Sequence, residues 1–219
     1  MFYKAVPEHV ASLIGKLNNF RLPKNTYMAG GTAATLYLGH RVSVDIDLFT
    51  EEHFYTRPIT DAIKEPGLIS VVSVSDSDSF IVEVERVRLS LFFYPYPLLE
   101  PLYFDQINKI SLASLVDIAA MKTVAIVQRG TAKDFVDLRA IIEATGISLE
   151  KLIAATLGKY GTQGNYGYHI KRGLVFFDDA EKGLKEVVML KDFSFQYPIS
   201  QSEWEEVKRF FRDLVFKQN

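Results

Sequence analysis

The chain contains no cysteine, so neither a disulfide nor a thiolate metal centre contributes to its stability or chemistry. It also lacks an excess of charge. Its 25 basic and 27 acidic residues leave a net charge of −2, which argues against a generally basic nucleic-acid coat and leaves room only for a local basic groove. No apolar run reaches the roughly 18 residues of a membrane span, and the opening MFYKAVPEHV has no signal-peptide pattern. The expectation is a soluble cytoplasmic protein with no membrane partner. Internal repeats and low-complexity tracts are missing, as are the G-x-G-x-x-G dinucleotide fingerprint and the G-x-x-x-x-G-K-[ST] phosphate loop. What the composition does supply, 48% hydrophobic and 13% aromatic residues in 219, suffices for a sizeable core.

The stretch 28–49, MAGGTAATLYLGHRVSVDIDLF, concentrates the special backbone residues and an unusual charge pattern. It reads as strand, glycine turn, short helix, strand. Gly30 and Gly31 have no Cβ, so the chain can turn sharply and bring backbone N–H groups close to a phosphate. Thr32 adds a hydroxyl, and a helix over 33–38 aims its N-terminal dipole at the same point. In Val44-Asp45-Ile46-Asp47-Leu48-Phe49, a strand puts Asp45 and Asp47 on one face, roughly 6–7 Å apart at Cα. Two carboxylates there can share a divalent cation, and Mg²⁺ takes one or two carboxylates plus substrate phosphates. Arg41 and Ser43 just upstream can donate to phosphate oxygens. A Gly-Gly pair alone is usually a turn, and a lone Asp-x-Asp is usually a solvated strand end. The combination is harder to dismiss, because two like charges side by side need water, a proton or a cation to relieve them.

Around this stretch, helical spacing of Val10, Leu13, Ile14 and Leu17 predicts an amphipathic helix over 7–20. A helix is expected over 50–64, with His53 on its surface, ending before Pro66-Gly67. Strands are expected at 69–74, 80–85 and 87–93. Glu83 and Glu85 on the second of these have Arg86 and Arg88 as neighbours, and cross-strand ion pairs explain them. Three prolines make 94–101 an extended exit from the sheet. Tyr94 and Tyr96 there are expected to pack against the domain rather than stack on a base.

A helix over 111–129 carries Lys122 on its apolar face, explicable as snorkelling. The helix after Gly130-Thr131 places Asp134 and Asp137 at i and i+3, Asp137 being within reach of Lys133 or Arg139. A helix at 149–157, a glycine-bearing link at 158–167 and a terminal helix from 202 complete the pattern. Lys159, Lys171, Arg172 and the basic side of the terminal helix could guide a polynucleotide, but isolated helix lysines are usually solvated.

Gly30-Gly31-Thr32 followed by Arg41-x-Ser43-x-Asp45-x-Asp47 resembles the first motif of the DNA polymerase β-like nucleotidyltransferases, in particular the AbiEii/AbiGii toxin family. Leu115 to Lys122 and Arg129 to Leu138 look like that family's later lysine and Lys-Asp-x-x-Asp-Leu motifs. The resemblance implies an α/β (α+β) nucleotidyltransferase-like lobe at 1–110, with a small mixed sheet and flanking helices, and a mainly α-helical C-terminal region at 111–219. It implies transfer of a nucleoside monophosphate from an NTP to an acceptor hydroxyl, with Mg²⁺ or Mn²⁺ held by Asp45 and Asp47. Gly30, Gly31, Thr32, Arg41 and Ser43 would bind the phosphates, Lys122 would neutralise them, and Asp134 would help hold Lys122 or the substrate. Many members of the superfamily that the chain resembles place a third carboxylate on a strand beside the acid pair; here Ser90 stands at that place, with Glu83 and Glu85 on the preceding strand as substitutes. A toxin role follows, with tRNA or another RNA as acceptor and an antitoxin protein as partner. Two alternatives remain open: a small-molecule acceptor such as an antibiotic hydroxyl, and a degenerate nucleotide-binding module.

Overall fold

The computed structural model describes residues 1–162, 164–192 and 195–217. A short amphipathic helix, α1 (Glu8–Ile14), opens the chain and buries Val10, Leu13 and Ile14. It is shorter than the expected 7–20, because Gly15 caps it and 17–19 form a separate 3₁₀ turn. There follow β1 (Tyr27–Ala29), α2 (Gly30–Leu38), β2 (Ile46–Thr50), α3 (Thr56–Lys64), β3 (Ser70–Ser75), β4 (Ser79–Val84), β5 (Val87–Phe93), β6 (Tyr103–Asp105) and β7 (Ile110–Leu112). The second half contains α4 (Leu115–Gln128), α5 (Ala132–Thr145), α6 (Leu149–Tyr160), α7 (Tyr166–Leu174), α8 (Asp178–Lys182), a hairpin of β8 (Val188–Lys191) and β9 (Phe195–Pro198), and α9 (Gln201–Phe216).

The seven-stranded sheet has the order β3-β4-β5-β2-β1-β7-β6. It is mixed: β2 pairs antiparallel with β1 but parallel with β5, and β1 pairs parallel with β7. This is the α/β architecture expected, a mixed sheet with flanking helices. In β2 the side chains of Ile46, Leu48 and Thr50 are buried while Asp47 and Phe49 are less so, the period-2 alternation of a strand with one face in the core. The three strands from β3 to β5 fall within about one residue of their sequence positions, since alternating β-branched and aromatic residues specify them locally.

Several boundaries differ for tertiary reasons. The helix expected from Thr50 starts at Thr56, because Thr50 stays in the sheet opposite Phe93 and its carbonyl accepts from the Tyr94 amide. His53 therefore lies in a loop, stacked on Phe93 with ring centroids 3.8 Å apart and Nδ1 2.7 Å from Asp78. The helix expected from Ser111 begins at Leu115, since residues 110–112 pair with β1 and Ser114 supplies the cap, accepting from the Asp117 amide at 3.0 Å. The glycine-bearing link is shorter than expected. Gly158 lies inside α6 and α7 starts at Tyr166, with residue 163 outside the described residues.

The helical half packs around Phe135 on α5. Its ring meets Phe177, Phe211 and Trp204 at centroid distances of 5.2, 5.3 and 6.0 Å, in the tilted and edge-on geometries aromatic quadrupoles favour. Helices α4 and α5 also pack on α2, which sets the helical half against the glycine turn. The β8–β9 hairpin reaches the same place through Arg41, which bridges to Met189, and Val42, whose amide donates to Val188. Among the described residues, no helix is long and apolar enough to cross a membrane.

Candidate active site

The glycine turn and the helix start coincide. Gly30, at φ +70°, is already the first residue of α2, and Ala29 before it supplies no side-chain cap. The first-turn N–H groups of Gly30, Gly31 and Thr32 therefore have no intrahelical acceptor. Both glycines are needed for close approach. A Cβ on Gly30 would lie 2.9 Å from Asp47 Oδ2, and one on Gly31 would lie 2.4 Å from Arg41 Nη2.

Gly31, Arg41, Ser43, Asp45, Asp47, Lys122 and Asp134 line a single cavity of about 310 Å³, so the structure brings most of the sequence candidates together. Gly30 lines an adjoining cavity that shares Gly31, Asp47, Lys122 and Arg129 with the first. Thr32 is buried behind them, its Oγ1 2.8 Å from Ser43 Oγ and also donating to the Asp45 carbonyl. That pair of bonds ties the turn before β2 to the first turn of α2. Asp45 precedes β2 and is exposed; Asp47 lies within it. Burial raises the pKa of Asp47 and the neighbouring Asp45 adds to this, while Lys122, Arg88 and Arg129 pull the other way. A group so placed favours a proton or a bound cation over bare ionisation.

Behind the carboxylates lies a buried ion network. Lys122 Nζ is 2.9 Å from Asp134 Oδ1 and 2.6 Å from Asp137 Oδ2. The snorkelling explanation fails here, because the ammonium is buried among carboxylates. Arg41 forks onto Asp137, Nε to Oδ1 at 2.6 Å and Nη2 to Oδ2 at 2.9 Å, while Nη1 donates to the Val42 carbonyl at 2.8 Å. His40 is a third partner of Asp137, with Nε2 at 2.8 Å. Burial opposes ionisation of Asp137, yet Arg41 and Lys122 outweigh it and hold the group well below the usual carboxylate range. Asp134 is held down in the same way, burial being outweighed by Lys122 and by Arg129, whose Nε reaches Oδ2 at 3.1 Å. The same two aspartates keep Lys122 protonated against its burial.

Asp137 thus holds more partners than the expected helix neighbours. Lys133 instead pairs with Glu186 at 3.2 Å and Arg139 with Glu143 at 2.8 Å. Sequence reasoning also left Arg129 and His40 without roles. His40 and Arg41 are consecutive, but nothing local points them at a residue about a hundred positions away. Lys159 is likewise no surface cation: it is buried against Asp117 at 2.8 Å and the Pro97 carbonyl at 2.8 Å.

The neighbour of Asp47 across the parallel β2/β5 pair is Ser90, which is buried. Glu83 and Glu85 line a different cavity with His9 and Ile69, Glu83 lying opposite Arg88 in the ladder. Among the described residues no group of three His, Asp or Glu side chains is arranged to hold a metal. Of the four carboxylates that line this cavity, Asp134 and Glu186 are engaged by lysine and arginine side chains; Asp45 and Asp47 remain as a donor pair, which suits an oxygen-preferring cation that keeps waters or phosphate oxygens as its other ligands.

A family model described as "Nucleotidyl transferase AbiEii toxin, Type IV TA system" matches residues 82–217. This range contains Lys122, Asp134 and Asp137, and leaves the glycine turn and acid pair outside it. The chain is 35% identical over 211 residues to the uncharacterized protein aq_aa25 of Aquifex aeolicus (strain VF5), covering 95% of this chain and 91% of that one. Its fold is similar to that of MenT4, a nucleotidyltransferase toxin from Mycobacterium tuberculosis H37Rv, with a TM-score of 0.55 and 14% identity over 97% of this chain and 87% of that chain.

Proposed function

The chain belongs to the AbiEii nucleotidyl transferase toxin family and is a nucleotidyltransferase, and on that premise we propose that it moves a nucleoside monophosphate from an NTP to a hydroxyl of an RNA, tRNA first among the candidates. The observation that carries this reading is the cavity in which Asp45, Asp47, Lys122 and the glycine start of α2 meet. Two adjacent carboxylates facing cations and free helix N–H groups match what a polyphosphate and its counter-cation require.

In this reading Asp45 and Asp47 hold Mg²⁺ or Mn²⁺, which when bound would polarise phosphate oxygens and lower the pKa of the attacking hydroxyl. The amides of Gly30, Gly31 and Thr32 orient the phosphates. Ser43 and the remaining donors of Arg41 contact phosphate oxygens, and Lys122 offsets the charge that develops on the leaving group. Asp134 keeps Lys122 aimed and protonated. The division into a catalytic lobe at 1–110 and a helical region at 111–219 belongs to the same reading, supported by the succession of helices after β7. A toxin role with an antitoxin protein as partner follows from the family.

The test is incubation with Mg²⁺, each α-labelled NTP in turn and total tRNA, beside an Asp45→Asn, Asp47→Asn double variant and an EDTA control. Label entering RNA only with the unaltered protein and only with metal supports the reading. One observation favours a rival: Ser90 occupies the place beside Asp47 where a third carboxylate could stand. A degenerate nucleotide-binding module would bind NTP without releasing pyrophosphate, and calorimetric NTP binding with no label in any acceptor would select it.

A further inference from the structure

The charged cavity accounts for phosphates but leaves its neighbour without a role. That second cavity, of about 410 Å³, adjoins the first at Asp47 and Lys122 and is lined by Phe49, Phe92, Tyr94, Tyr96, Tyr160 and Gln128. The change of chemistry across a shared wall is abrupt: aspartates and cations on one side, ring faces on the other.

The rings form a continuous group. Tyr94 meets Phe49 edge-on at 5.1 Å and Tyr96 at 4.8 Å, and Tyr96 lies 4.8 Å from Tyr160. The group is also held in place. The hydroxyls of Tyr94 and Tyr160 share a hydrogen bond, and the buried Lys159 ammonium sits 5.7 Å from the Tyr94 ring centroid. Lys159 fixes the extended segment through the Pro97 carbonyl, and its partner Asp117 accepts from the amides of Leu99 at 3.0 Å and Glu100 at 3.2 Å. A proline-bearing segment that could wander is thus locked to α4 and α6, which lowers the entropic cost of ordering its rings around a ligand. Gln128, exposed at the end of α4, also lines this cavity, and among the described residues its side-chain amide makes no hydrogen bond.

We propose that this second cavity is the nucleobase slot of the donor NTP, with the base stacked on Tyr96 and its edge read by the Gln128 amide. The proposal rests on the charged cavity taking the triphosphate, because a single nucleotide then spans the shared wall with its phosphates on one side and its base on the other. Stacking tolerates every base, since each presents a π face. Gln128 supplies the discrimination: its end carries one donor pair and one acceptor, so it registers on a base edge in an orientation that depends on the base.

The experiment measures binding of the four NTPs and of inorganic tripolyphosphate, without RNA, to the full chain and to Tyr96→Ala, Tyr96→Phe, Gln128→Ala and Gln128→Glu. Circular dichroism checks that each variant is folded. Tyr96→Ala should weaken every NTP about tenfold or more and leave tripolyphosphate unchanged, with Tyr96→Phe restoring the affinity. Gln128→Ala should compress the spread among the four NTPs to within about threefold, and Gln128→Glu, which only accepts, should shift it toward bases that present donors. Unchanged NTP affinity in Tyr96→Ala overturns the slot, even if that variant weakens binding of RNA. Equal loss of NTP and tripolyphosphate overturns it too. A wild type indifferent to the base overturns the role of Gln128. Failure of wild type to bind either probe overturns the phosphate reading beneath, which separates that failure from failure of the slot.

Discussion

Arg41 and Asp137 form a two-bonded fork across 96 residues of chain, at 2.6 and 2.9 Å. Both side chains are buried, and Lys122 shares the same carboxylate at 2.6 Å. This one aspartate joins the loop that precedes the acid pair to the helical half of the molecule.

Asp137→Asn should therefore be severe. It leaves two buried cations facing a neutral amide, a kind of loss that costs about 3–5 kcal/mol when one partner of a buried pair is removed. Urea denaturation should show the midpoint falling accordingly. Arg41→Lys should lose part of this as well, since an ammonium cannot reproduce the planar fork. A midpoint within experimental error of the wild type in Asp137→Asn would contradict the network as described.

His40 makes stability depend on pH near neutrality. Its Nε2 faces Asp137 while the buried Nδ1 has no partner among the described residues. Burial lowers its pKa, with Asp137 pulling upward and Arg41 and Lys122 adding to the lowering. The folded value lies below the unfolded one, about 6.5, so the unfolded chain takes up the proton first. Stability is then complete above about pH 6.5 and falls as pH drops toward the folded pKa. Thermal melts from about pH 8 to 5 should show this decline, and His40→Gln should flatten it. Asp134 and Asp137, whose folded values are depressed, act in the same direction in a separate window, below about pH 4.

Asp47→Asn should separate activity from stability. Burial disfavours the charge at Asp47 and Asp45 repels it, so a neutral isostere should leave the melting temperature unchanged or slightly higher. Transfer should fall by about 100-fold or more, the scale set by several kcal/mol of lost phosphate and cation stabilisation. Parallel melting and label-incorporation measurements decide it. A variant that loses both together would point to a structural role instead.

Gly31→Ala tests the close packing at the start of α2. The added Cβ would meet Arg41 Nη2 at 2.4 Å, so the fork must shift, at about 1–3 kcal/mol. Gly158→Ala in α6 offers the contrast: its Cβ would meet nothing within 4 Å, and helix propensity predicts a gain of up to about 1 kcal/mol. Equilibrium unfolding of the two variants should move in opposite directions.

The features legible in the sequence are those that the backbone period imposes within a few residues. Alternation placed the strands β3 to β5, because side chains two apart on a strand share a face whatever surrounds them; Asp45, expected in the same strand as Asp47, lies just before β2 and meets it at the shared cavity instead. The glycine pair announced a sharp start to α2 for an equally local reason, the absence of Cβ. The caps of α4 and α9, Ser114 and Ser200, also act through bonds that span three residues, but the sequence pattern places the helix starts at Ser111 and Ser202 and leaves both caps unrecognised. Where sheet pairing competed with local signals, the local reading failed: Thr50 and Ser111 joined strands instead of opening helices.

Tertiary structure decided the partners of Asp137 and Lys159. Asp137 is three residues from Asp134 and four from Lys133, yet its partners come from the loop at 40–41 and from α4. Lys159 reads as one more helix lysine and turns out to be buried on Asp117. A side chain's helix neighbours are set by 3.6-residue periodicity, which the sequence contains. A partner tens of residues away is set by how sheet and helices pack, and by the strong bias of a buried charge toward whichever opposite charge that packing brings within reach.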